Sequence, residues 1–145
     1  MDEPFDGAKI AVLVRGGVLV IERDLRRDIP WPGFWDLPGG GREGLETPLA
    51  TALRELHEEL GLVLDPARVM FHVESDGAGG SAARVHFFGA RWDDLDLRAV
   101  RLGEEGQRWQ HMPVAAFLAH PKAIPSQVAR LKMCLAQDRR KTGGT

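Results

Sequence analysis

The reading turns on "RELHEELG", Arg54–Gly61, which closes the longer segment "TPLATALRELHEELG", Thr47–Gly61. Thr47 suits an N-cap, Pro48 the first helical position and Gly61 the residue just past the end, so the segment predicts a helix over about Pro48–Leu60. At about 100° per residue, Leu49, Leu53, Leu56 and Leu60 share one narrow stripe, which buries the helix against a sheet. Glu55, Glu58 and Glu59 fall within a roughly 100° arc on the opposite side. Like charges three or four residues apart on a helix repel by about 0.2–0.5 kcal/mol per pair, so the cluster is a local liability. Either a solvated face with Arg54 as charge partner offsets it, or a bound divalent cation does.

The residues just before the helix bear on that choice. Gly39, Gly40 and Gly41 allow a tight turn in which a carbonyl approaches a cation, and Glu46, one residue before the N-cap, meets the helix dipole. Hard oxygen ligands of this kind suit Mg2+ or Mn2+, which keep waters and share substrate phosphates. Two unit charges about 6 Å apart interact by roughly 3 kcal/mol at an effective dielectric near 20, so partly shielded glutamates favour such an ion.

Further out, "KIAVLVRGGVLVIERD" reads as two apolar strands joined at Gly16-Gly17, a hairpin. "LRRDIPWPGFW" reads as a loop ending in a short strand around Trp35–Leu37. Beyond the helix, "ARVMFHVE" and "ARVHFFGARW" predict a second hairpin with a mobile tip at "SDGAGGSA", and "GQRWQHM" a further strand. "PVAAFLAH" predicts a short helix entered at Pro113, and "IPSQVARLKMCLAQ" an amphipathic one with Val128, Leu131 and Leu135 on one side. Residues from about 138 onward are expected to form a disordered tail. Hairpin-linked strands on both sides of a central helix predict an α/β domain with a mixed sheet covered by helices.

The chain has 145 residues, 43% hydrophobic and 28% charged, which fits one globular domain over 1–145. A net charge of −2 argues against a protein that lives on nucleic-acid polymers, while a small phosphorylated ligand needs only a few local cations. The single cysteine, Cys134, cannot close an internal disulfide and reads as a buried, inert thiol; a reducing compartment fits. No Cys/His cluster has zinc-site spacing. "MDEPFDG" lacks the basic start and apolar run of a signal peptide, and Ile10–Val14 stops at Arg15, so a cytoplasmic protein without membrane association is expected.

Gly40, Glu46 and then "RELHEELGL", Arg54–Leu62, resemble the Nudix box of the Nudix hydrolases without departure over those 23 residues, and "WDLPGG", Trp35–Gly40, extends the likeness. The resemblance implies an α/β/α sandwich with a mixed β-sheet. It implies metal-dependent hydrolysis of a nucleoside diphosphate linked to another group, with Mg2+ or Mn2+ as cofactor. Glu55, Glu58 and Glu59 would bind metal, with the carbonyl of Gly39 as a further ligand, and Arg54 would orient a glutamate. In the MutT branch a glutamate in an "E-G-Q" context completes the site; here "EEGQ" offers Glu105, with Glu104 second. One of Glu55, Glu58, Glu59 and Glu105 would take the proton of the attacking water.

Arg23, Arg26 and Arg27 are candidates to clamp distal phosphates, since guanidinium forks suit that geometry. Trp31 and Phe34 either stack on a base or pack within their loop, and Trp35 packs in the core. The substrate is a small nucleotide or other diphosphate, and the chain is a monomer or homodimer. Markers of several Nudix subfamilies are missing. No proline stands where ADP-ribose hydrolases carry one, and the chain has no tyrosine, which dinucleoside polyphosphate hydrolases use. Elimination favours a MutT-like conversion of a (deoxy)nucleoside triphosphate to monophosphate and pyrophosphate. Ala123 stands where MutT reads an oxidised guanine with asparagine, so 8-oxo-dGTP specificity is not carried over. Two alternatives are a hydrolase of a nucleotide-sugar or non-nucleotide diphosphate and a non-catalytic nucleotide sensor.

Overall fold

Alternation along the first strand sorts its side chains into two cores. In β1 (Gly7–Val14), Ala8, Ile10, Val12 and Val14 face one way, while Ala11 and Leu13 face the other. β2 (Gly17–Glu22) does the same with Leu19 and Ile21 against Val18 and Val20. A period of two with both faces apolar is what a sheet needs when helices cover both sides. The computed structural model describes residues 4–76 and 84–143, by backbone alone at 76 and 139–143.

The remaining elements are β3 (Trp35–Asp36), β4 (Gly39–Gly41), α1 (Pro48–Leu60), β5 (Val69–Asp76), β6 (Arg84–Arg91), β7 (Arg108–Pro113), α2 (Val114–Ala119) and α3 (Pro125–Gly143). The main path of the sheet runs β3-β2-β1-β6-β5, with β4 paired to β1 and β7 to β2. β1 and β6 are parallel, from Gly7↔Val85 to Leu13↔Arg91, and the other pairs are antiparallel, which makes the sheet mixed. α1 seats Leu56 and Leu60 on the first core. Phe117 of α2 and Leu131 and Cys134 of α3 fill the second, so the expected α/β/α layering is present.

Thr47 caps α1, its hydroxyl accepting from the Ala50 N–H at 3.2 Å, and Gly61 ends it in the left-handed conformation with its N–H on the His57 carbonyl. The first hairpin turns one residue earlier than "GG" suggests. Val14 pairs with Gly17, and Arg15 and Gly16 both take positive φ, as a two-residue hairpin turn demands. Arg15 tolerates this because its backbone N–H donates to Asp93 Oδ1 at 2.7 Å.

One expectation changes. The stretch from about 138, expected to be a tail, is helical as far as Gly143. Arginine and lysine propagate a helix well, and Asp138 is tied to Arg91 by an ion pair. β4 went unread because three glycines carry no alternation. The tip expected to be mobile lies mostly in 77–83, outside the described residues.

Candidate active site

β4 brings its backbone against the last two turns of α1, and this contact builds the site. A Cβ on Gly40 would lie 2.6 Å from Cδ of Glu55, so the missing side chain is the space the Glu55 carboxylate occupies. Gly39 sits at φ 147°, where a Cβ would lie 2.2 Å from the Ala8 carbonyl oxygen. Its N–H donates to Glu59 Oε1 at 3.2 Å.

Glu59 is therefore not on an outward face, as the helical arc alone suggested. β4 and the segment around Gly103 enclose it, the Gly103 N–H donating to the Glu59 carbonyl at 2.8 Å. Burial pushes the Glu59 carboxyl up to about 8, with the neighbouring Glu55 adding to the rise and Lys9 and the Gly39 N–H opposing it. For an acid so raised, Lys9 and the Gly39 N–H do not make up for the water lost on burial, so its ionised form is short of positive charge.

Arg54 binds the acidic face together. Its guanidinium donates to Glu46 Oε2 at 2.8 Å, Glu55 Oε1 at 2.9 Å, Glu58 Oε1 at 3.1 Å and the Gly41 carbonyl at 2.8 Å. Glu46 also accepts from the Thr51 hydroxyl and the Glu43 N–H. The Arg54 guanidinium, with these bonds, holds the Glu46 carboxyl down to about 2, while Glu46 first and Glu55 and Glu58 after it raise Arg54. Glu46 thus serves chiefly to seat Arg54, and Arg54 orients both Glu55 and Glu58.

Glu55, Glu58 and Glu59 line an open cleft of about 760 Å³ together with Glu104 and Glu105. Glu105 arrives on a loop pinned to the end of β2. The Gly106 N–H donates to Asp24 Oδ2 at 3.2 Å, and Gln107 donates from its backbone to the Glu22 carbonyl and from its side chain to the Arg23 carbonyl, both at 2.8 Å. This is the physical content of "EGQ": glycine and glutamine fasten the loop that carries the glutamate.

Among the described residues, no three acidic, histidine or cysteine side chains converge tightly enough to form a closed metal cage. Mutual repulsion and the guanidinium between Glu55 and Glu58 account for that spacing. The donor set nonetheless suits a hard divalent ion that keeps waters and shares phosphate oxygens, since several carboxylates border one cleft and the buried one is short of positive charge.

The candidate substrate residues separate. Arg23 borders the cleft, its Nη1 donating to Asp36 Oδ2 at 3.3 Å and its Nε to the Pro30 carbonyl at 2.8 Å. Arg26 borders an adjoining cavity but is exposed and paired to Asp28. Arg27 is exposed and lines neither space. Trp31 and Phe34 pack on each other at 5.0 Å, Trp31 remaining 40% exposed. Trp35 is buried in the second core. Two residues went unread in the sequence. Lys9 lines the cleft and donates to Asp36 at 2.9 Å and to the Leu37 carbonyl at 3.2 Å. Asp36 is a buried carboxylate that also accepts from the Leu37 N–H. Only strand pairing brings Lys9 beside Gly39, 30 residues away, so no local pattern marks it.

Comparison with known proteins supplies the family. Residues 4–131 match the model of the NUDIX domain. An 8-oxo-dGTP diphosphatase of Proteus vulgaris is 37% identical over 59 residues, which cover 41% of this chain and 51% of that protein, so the chain spans about half the length of this curated relative. The MutT protein of Methanosarcina mazei superposes with a TM-score of 0.73 at 17% identity, over 96% of this chain and 99% of that one. A bifunctional NMN adenylyltransferase/ADP ribose pyrophosphatase of Francisella tularensis, complexed with AMP and a manganese ion, superposes with a TM-score of 0.60 at 21% identity, over 75% of this chain and 34% of that one. With the box in place on α1 and the domain model matched along most of its length, the chain belongs to the Nudix hydrolase family and is MutT-like in build.

Proposed function

We propose that this protein hydrolyses the phosphoanhydride of a nucleoside diphosphate linked to another group, with a (deoxy)nucleoside triphosphate giving monophosphate and pyrophosphate as the leading case. The observation that carries the reading is the meeting of Glu55 and Glu59 with the Gly39-Gly40 backbone, faced across one cleft by Glu105. Glu55, Glu58, Glu59, Glu105 and the Gly39 carbonyl are the groups that would hold Mg2+ or Mn2+. When bound, the ion supplies positive charge against the crowded phosphate oxygens and places the reacting groups.

The chain's own residues do the rest. Arg54 keeps Glu55 and Glu58 in fixed rotamers, so their oxygens need no reordering as substrate enters. Lys9 and Arg23 present cations where the cleft meets the adjoining cavity and so face the phosphates. Glu55 and Glu58 are engaged by Arg54 and Glu59 by Gly39, which leaves the exposed loop opposite, Glu105 first and Glu104 beside it, to accept the proton of the attacking water. Among the described residues, no helix is long and apolar enough to cross a membrane.

The reading is tested with purified protein and a panel of nucleoside triphosphates, nucleotide sugars and isoprenoid diphosphates, in Mg2+ or Mn2+, scored by released phosphate and pyrophosphate. Running the reaction in oxygen-18 water locates the attacked phosphorus. Metal-dependent release of pyrophosphate supports the reading. Tight nucleotide binding with no product from any member of the panel overturns it in favour of a sensor.

A further inference from the structure

One buried carboxylate holds both cations of the cleft wall. Asp36, on β3, is 5% exposed; its Oδ2 accepts from Lys9 Nζ at 2.9 Å and from Arg23 Nη1 at 3.3 Å, and its Oδ1 from the Leu37 N–H at 2.7 Å. Lys9 comes from β1 and Arg23 from the residue just past β2, so the carboxylate gathers two elements at one oxygen. Both cations border the cleft and the adjoining cavity, while Asp36 borders the cavity but not the cleft. Their side chains keep 17% and 28% exposure against 7% for Asp36, so the anchor is hidden and the charges it holds are open.

Joining strands does not require this. One ion pair would tie β1 to β3, and an apolar residue between Trp35 and Leu37, which pack in the second core, would avoid burying a carboxylate at all. What the arrangement does secure is the pose of two long side chains. Lysine and arginine lose more rotamer freedom on fixing than most residues, and here that cost is met before any ligand arrives. Neighbouring atoms fix the same pose. A Cβ on Gly39 would lie 2.6 Å from Lys9 Cδ, so the lysine stem runs across the glycine whose N–H holds Glu59. Lys9 Nζ also donates to the Leu37 carbonyl at 3.2 Å and Arg23 Nε to the Pro30 carbonyl at 2.8 Å. An ammonium has three donors and a guanidinium five, so each keeps N–H groups beyond these bonds for an anion.

We infer that Asp36 is a positioning residue, which holds Lys9 and Arg23 together as a preformed clamp on the phosphate oxygens of the substrate and acts only through them. The inference rests on the proposed hydrolase reading for its effect on turnover; the clamp's hold on a phosphate does not. The sign of the effect distinguishes positioning from charge alone. Neutralising Asp36 makes the wall more positive, which favours an anion, and lets the two side chains spread, which does not. In ground-state binding these effects oppose each other, whereas turnover needs the aligned geometry and loses it.

Two measurements separate the clamp from the activity. In metal-free protein kept in chelator, the Lys9 ammonium and Arg23 Nε–H signals are followed by NMR as inorganic pyrophosphate is titrated. In the wild type both should shift saturably with one midpoint. Before ligand is added, exchange of the Lys9 ammonium with water should be at least about tenfold faster in Asp36→Asn, because its charged acceptor is gone. Wild-type signals that stay unmoved, a shift confined to one of the two, or exchange unaltered by the variant overturns the inference whatever the activity, and the first two outcomes do not depend on the variant folding. The second measurement takes kcat and KM for a nucleoside triphosphate with Mg2+. Asp36→Asn should lower kcat by at least about tenfold and leave KM within about threefold, and should cost far less in a Lys9→Met, Arg23→Met background. A raised KM at unchanged kcat, or an equal loss in both backgrounds, overturns the positioning role. Absence of turnover, with the pyrophosphate shifts and the exchange difference intact, supports the clamp and counts against the hydrolase reading alone.

Discussion

Replacing Glu59 by glutamine is expected to make the metal-free protein more stable at alkaline pH while removing most of its turnover. In the fold, burial raises the Glu59 carboxyl from 4.5 to about 8. Between those values the unfolded chain has already released the proton that the folded chain keeps. Stability therefore falls as pH rises from about 4.5 through about 8 and levels off above. At about 1.4 kcal/mol per unit, the loss is on the order of a few kcal/mol. For a chain of this length each kcal/mol moves Tm by about 2–4 °C, so the wild type should lose on the order of 10 °C relative to the variant across that range. Glutamine has nearly the same shape, and its oxygen can keep the Gly39 N–H, so packing and hydrogen bonding should cancel in the comparison. The assay is thermal unfolding of both proteins in chelator, between about pH 5 and 9 at constant ionic strength. The two Tm curves should meet at the acidic end and separate steadily toward the alkaline end. Parallel curves would refute the claim that the fold holds this acid short of positive charge.

Gly40→Ala should lower kcat by about 100-fold, since its Cβ would lie 2.6 Å from the Glu55 carboxyl carbon and must push that group away; steady-state kinetics beside a circular dichroism spectrum checks this. Glu105→Gln should reduce turnover by about 100-fold yet leave Tm within about 1 °C, because the side chain is exposed; a Tm loss comparable to that of a core mutant would make the residue architectural. Arg54→Met should lower Tm by several degrees at neutral pH, because Glu46, Glu55 and Glu58 lose their shared cation. Glu46 titrates at about 2 in the fold against 4.5 ordinarily, so its share of that stability is present above 4.5 and fades as pH falls toward 2. Denaturation followed through that acid range should therefore show the gap between Arg54→Met and wild type closing.

The parts of this site legible in the sequence are those carried by one helix and its flanks. Spacing alone puts Glu55, Glu58 and Glu59 together, Thr47 and Gly61 mark the ends, and "EEGQ" marks the second wall. Helical geometry nevertheless sent Glu59 outward, because a wheel knows only its own helix, whereas β4 and the Gly103 segment decide what covers that side. Lys9 and Asp36 were illegible for a related reason. Each sits in a pattern that reads as ordinary strand, and only the pairing of β1 with β4 and of β2 with β3 brings them to one place. Arg26 and Arg27 show the converse: a plausible phosphate clamp by composition, they lie on a loop where one is satisfied by Asp28 and the other faces solvent.

If the acidic cleft takes a divalent ion through the carboxylates of α1, removing one of those carboxylates must weaken the ion's binding. Calorimetric titration of Mn2+ into the wild type and into Glu55→Gln, Glu58→Gln and Glu59→Gln tests it most directly, in two buffers of different ionisation enthalpy so that proton release is read as well. Saturable binding by the wild type is expected, with proton release near neutral pH as Glu59 ionises and affinity at least about tenfold weaker in the Glu59 variant. Equal affinity in all four proteins, or no binding by the wild type, would contradict it.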